Sequence, residues 1–174
     1  MFELERLQGT GDHGIALQTR TGRDITNSVG VELSELHLRR YEALLKRCGQ
    51  NWRKRRIPSG EYNCAGHVWA SRRTCIYEEE DWRMIFREDG FRITEEPVPD
   101  DLVVYIGRDN EGILHIGRVV ELREGMTQES PRIAWVVSKW SDVTGEVFHF
   151  EHDHPFKAFG FIVSIEYWTD RLAI

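Results

Sequence analysis

The order of periodicities predicts an α+β protein, with helices at the front of the chain and an antiparallel sheet behind them. Three observations carry this. Leu38, Tyr41, Leu44, Leu45 and Cys48 recur at helical spacing behind Ser34, a good N-cap residue. Beyond residue 100 the runs are rich in Val, Ile and aromatic residues, and turn residues separate them. Between the two regimes lies Asn63-Cys64-Ala65-Gly66-His67-Val68-Trp69-Ala70, small and apolar, headed by a second capping residue.

Taken in order, residues 9–30 are rich in Gly, Thr, Asp and Asn and read as a loop or loosely held hairpin, so 1–32 is expected to be an extension to a domain over 33–174. A helix over 35–48 stops at Gly49. The basic run Arg53-Lys54-Arg55-Arg56, with Pro58 and Gly60, reads as a loop delivering the chain to a helix over 64–71. A third helix over 79–87 places Trp82, Ile85 and Phe86 inward and ends at Gly90, followed by an extended piece over 91–94. Strands are expected over 102–106, 113–122, 132–140, 146–150 and 161–167. Turns or loops at 97–101, 109–112, 125–131 and 144–145 join them, and His152 to Pro155 interrupts the pattern.

With 174 residues, 40% hydrophobic, including six Trp and eight Phe, the chain can bury one substantial core. A formal charge of −6 argues against a general nucleic-acid partner despite the basic run. Three cysteines, with no Cys-x-x-Cys pair, fit neither a disulfide framework nor a zinc site, which points to a reduced, cytoplasmic setting. Neither a signal peptide nor a membrane span is evident, so no membrane partner is expected and export would need a dedicated system.

Cys64 is the candidate nucleophile. In the first turn of a helix, its sulfur would face unsatisfied N–H groups and the positive end of the helix dipole, both favouring thiolate. The competing reading is a small buried core residue. His115, about fifty residues on and in a largely apolar strand, is the candidate base.

These residues resemble a family. Tyr62-Asn63-Cys64-Ala65-Gly66-His67-Val68 is similar to the cysteine signature of NlpC/P60 peptidases, members of the papain-like group. Pro99-Asp100-Asp101-Leu102-Val103-Val104-Tyr105 resembles their Pro-Gly-Asp-Leu-Val strand, and His115-Ile116-Gly117-Arg118-Val119 their His-Val-Gly-Ile strand. The likeness spans 61–120. The later Ser138-Lys139-Trp140, Glu146-Val147-Phe148-His149 and Phe159-Gly160 resemble an uncharacterised bacterial family with Tyr-Asn-Cys and Ser-Lys-x-Gly motifs. Asn63, Ala65, His67 and Asp100 depart from the NlpC/P60 pattern, where Asp, Ser, an apolar residue and Gly stand.

The resemblance implies a papain-like fold and a cysteine amidase or peptidase needing no cofactor. His115 would hold Cys64 as thiolate, and the sulfur would attack an amide carbonyl, either in a peptidoglycan peptide or on a protein side chain. The Cys64 backbone N–H and the Tyr62 hydroxyl would stabilise the oxyanion. Ser138 is the first candidate for the residue orienting His115 and His149 the runner-up, while Lys139 is disfavoured because a cation opposes an imidazolium. If the protein is a toxin, a cognate inhibitor protein is an expected partner. The alternative is a catalytically silent binding or immunity module on the same fold. A metal site from His149, His152, Asp153 and His154, and a permuted arrangement with His13 as base, are lesser alternatives.

Overall fold

A computed structural model describes residues 14–48, 51–108, 112–124, 132–158 and 160–172. Helix α1 (Glu35–Arg47) begins at Ser34, whose hydroxyl accepts from the His37 N–H while the His37 ring accepts from the Ser34 N–H. The expected stop at Gly49 lies outside the described residues. Strand β1 (Trp52–Lys54) follows, then α2 (Cys64–Trp69), α3 (Glu79–Glu88), β2 (Arg92–Ile93), β3 (Leu102–Gly107), β4 (Ile113–Arg123), β5 (Ile133–Lys139) and β6 (Glu146–Phe150). A single 3-10 turn (Glu151–Asp153) and the short helix α4 (Pro155–Ala158) lead to β7 (Ile162–Thr169).

The seven strands form one antiparallel sheet in the order β1-β6-β5-β4-β3-β7-β2, so the fold is α+β. Strands β3 to β6 are the expected meander. The chain then crosses back along the segment 151–158 to set β7 on the far side of β3. Two features depart from the sequence reading. The basic run is in part an edge strand, β1, paired with β6, and the interruption at His152 to Pro155 is a turn and a helix.

Side-chain alternation gives the sheet two faces. Leu102, Val104 and Ile116 pack with Cys64, Ala65 and Val68 of α2 and with Trp82, Ile85 and Phe86 of α3. Val103, Tyr105, Val119, Ala134 and Val136 line the opposite face with Ile162, where Trp140 and Val147 meet Tyr41 and Leu45 of α1. Residues 14–32 belong to the same body. A small hairpin bonds the Ile25 N–H to the Leu17 carbonyl, Ile25 enters the α2–α3 core, and Ser28 and Cys75 exchange backbone hydrogen bonds.

Candidate functional site

Asn63 explains how α2 is held. Its side-chain oxygen accepts from the N–H of Gly66 (2.9 Å), capping the helix, and from the N–H of Ile76 (3.2 Å), while its amide nitrogen donates to the Ile76 carbonyl (2.7 Å). The last bond needs a donor, which is the physical reason for Asn where the resembling family has Asp. Gly66 permits the close approach, since a Cβ there would stand 1.8 Å from the Thr74 carbonyl oxygen. At the other end of α2, the Arg118 guanidinium donates to the Val68 carbonyl (3.0 Å).

Cys64 is therefore the first residue of a capped helix, as the sequence predicts. Its acidity is not the predicted one. The thiol is buried, and burial pushes it up to about 11 even though the backbone N–H groups of Ile116, Ala65 and Cys64 favour the anion. A six-residue helix end does not compensate for the lost solvation.

The structure does not bring Cys64 and His115 together. Val104 pairs with Ile116 and Tyr105 with His115, so these two pairs lie on opposite faces. Ile116 packs against Cys64, whereas the His115 ring lies 5.5 Å from Tyr105 and 4.2 Å from His154, centroid to centroid. His115 is buried at 1% exposure, and burial, with His149 and His67 nearby, holds its imidazole well below the ordinary value.

Ser138 and His149 do meet, on the His115 face. Ser138 Oγ lies 2.8 Å from His149 Nε2, and His149 Nδ1 lies 2.8 Å from the Phe150 carbonyl. The carbonyl can only accept, so Nδ1 carries the proton and the serine hydroxyl donates to Nε2. The Ser138 hydroxyl proton is thus spent on His149. Both are fully buried, and the pair serves as an internal bond between β5 and β6. The proposed metal ligands diverge: His149 and His154 are buried, while the His152 side chain is 55% exposed. Among the described residues no three His, Cys, Asp or Glu groups are arranged to hold a metal. His13 lies outside the described residues.

The polar groups on the Cys64 face form a network that the sequence reading did not assemble. Glu146 is fully buried and accepts from the Tyr62 hydroxyl (2.7 Å), Arg72 Nε (2.5 Å) and Arg55 (2.6 Å). Burial opposes its ionisation, but the hydrogen bonds from Arg72 and Tyr62 prevail and hold it at about 2. Tyr62 is 3% exposed and donates its proton to this carboxylate, so it is not placed as an oxyanion donor. Arg72, with φ of 68°, also reaches His67 Nε2 (3.2 Å), and burial first, against the pull of Glu146, lowers His67 to about 4. Because Arg72 can only donate, His67 is neutral with its proton on Nδ1.

Lys139 is buried beside this group, donating to the carbonyls of Ser59 and Thr144 (2.5 Å each), with its nitrogen 4.7 Å from the centre of the Tyr62 ring. Burial lowers its ammonium to about 8, with Cys75, Asp142, Glu146 and Cys64 acting in the other direction. The sequence signal for this network was Lys139 opposite Glu146, two charges at paired positions of adjacent strands otherwise reading as core.

No protein-family model matches the chain, and neither the curated proteins nor the solved structures contain a match to it. No helix among the described residues is long and apolar enough to cross a membrane.

Proposed function

We propose that the chain is a catalytically silent binding module on a papain-like, NlpC/P60-type variant of the α+β fold. The observation that carries this reading is the alternation along β4: Ile116 faces Cys64, and His115 faces Tyr105 and His154. A thiol raised by burial and separated from its base by a sheet is a core residue. The papain-like part of the reading rests on the three sequence motifs and on a cysteine-headed helix packed on an antiparallel sheet.

The binding surface on this reading is a cavity of about 480 Å³ lined by residues 29–32, Glu61, Arg72 and Arg73. Val29 and Val31 give it apolar contact, Glu32 and Glu61 negative charge, and Arg73 positive charge. The Arg72 guanidinium is largely spent on Glu146. That mixture fits a peptide segment carrying both signs of charge around an apolar side chain.

A second reading, cysteine amidase or peptidase, is favoured by one observation: Cys64 opens a capped helix and receives backbone N–H groups at its sulfur. Site-resolved alkylation of the native protein separates the two. For the silent module, Cys64 reacts with iodoacetamide only at alkaline pH, with a profile indifferent to His115→Gln. Modification at mildly acidic pH that shifts toward ordinary thiol behaviour, near about 8.5, in His115→Gln overturns the proposal and restores the hydrolase.

A further inference from the structure

Three imidazoles, from three different elements, meet under the segment 151–158 on the face away from Cys64. His115 belongs to β4, His149 to β6 and His154 to the junction between the 3-10 turn and α4, and each is at most 1% exposed. The ring of His154 lies 4.2 Å from that of His115, 5.7 Å from His149, 4.7 Å from Tyr105 and 6.0 Å from Trp140. We propose that this cluster is an acid-sensitive latch, fastening the segment 151–158 to the sheet while its imidazoles are neutral and releasing that segment first as the pH falls.

Among the described residues the rings packed on the cluster are uncharged, and the charges nearest it lie on the segment 151–158. On β3 the neighbour is Tyr105, on β5 Ser138, and just beyond β5 Trp140, all uncharged. From α1, Tyr41 packs on Trp140. Glu151 accepts from the Ala134 N–H and from the Tyr167 hydroxyl of β7, and it faces the exposed His152. Glu151 and Asp153 act on Tyr105; His149 and His67 oppose a proton on His115, and His115 and His149 oppose one on His154. Lys157 is turned to His152 (2.7 Å). A first proton therefore meets repulsion from any second.

The sign follows from linkage. Folding burial lowers all three imidazoles below the ordinary value of about 6.5, His149 to about 4. The released form binds more protons, so the latch is at full strength above about 6.5 and weakens below it. The weakening approaches tenfold per pH unit for each histidine that release exposes to water.

Hydrogen exchange on the intact chain at pH 7, 6 and 5, corrected for intrinsic rates, tests this. Protection of amides in 151–158 should fall more than tenfold between pH 7 and 5 while that of β3 to β5 falls less. His154→Gln, which cannot gain a proton, should flatten the fall, and His152→Gln, altering an exposed ring, should not. Uniform loss of protection across the sheet and the segment overturns the proposal. So does unchanged protection of the segment at pH 5, or a fall that disappears in His152→Gln.

Discussion

Glu146 is the residue on which the charges of the Cys64 face converge, and its removal is the clearest single-residue experiment. Replacing it by Gln keeps the volume but leaves Arg55 and Arg72 without their counter-charge. Losing one member of a fully buried pair costs about 3–5 kcal/mol; here about 2–3 kcal/mol is expected by urea denaturation, because Arg55 and Arg72 reach solvent and are screened. The pH dependence has a defined direction. The Glu146 carboxyl is held at about 2 against an ordinary 4.5, so its contribution is complete above about 4.5 and is lost as pH falls toward 2. That part of the acid dependence should be absent in Glu146→Gln.

At the scale of elements, α2 depends on Asn63 for both its cap and its attachment to the chain near Ile76. Asn63→Asp retains the acceptor and loses the donor to the Ile76 carbonyl, with an expected cost of about 1–2 kcal/mol; Asn63→Ala also loses the cap and should cost more. Thermal melts of the two variants beside wild type would order them, and equal stability of all three would contradict this role. The start of α2 was legible because capping is local chemistry: Asn63 and Ser34 each announce a helix within three residues. The end of α3 was legible for the same reason, at Gly90, whose φ is 78°. Strand β1 was not, since three basic and aromatic residues acquire strand geometry only from pairing with β6. The facing of His115 was not legible either. Alternation fixes that neighbours on β4 point apart, but which of them meets α2 depends on how the helix docks on the sheet.

For the molecule as a whole, the described part of the expected extension, residues 14–32, packs against the domain expected over 33–174. Ile25 is 4% exposed in the α2–α3 core, and the Thr74 hydroxyl reaches both the Asn27 side chain and the Ser28 carbonyl. Gly30 and Gly60 cross so closely that a Cβ on Gly30 would lie 1.6 Å from the Gly60 carbonyl oxygen. Deleting residues 1–30 should therefore lower the unfolding free energy by at least the amount expected for losing a buried Ile, about 2–5 kcal/mol, and the melting temperature with it. A truncated chain that melts as the full one does would establish an independent extension. Between the pairs Tyr105–His115 and Ile106–Ile113, Leu114 is a supernumerary residue, a single unit of slack where β4 begins. Were that slack one place further along, His115 would itself be the bulged residue instead of the partner of Tyr105. Which face of the sheet His115 serves is thus set by where this end of β4 holds one extra residue.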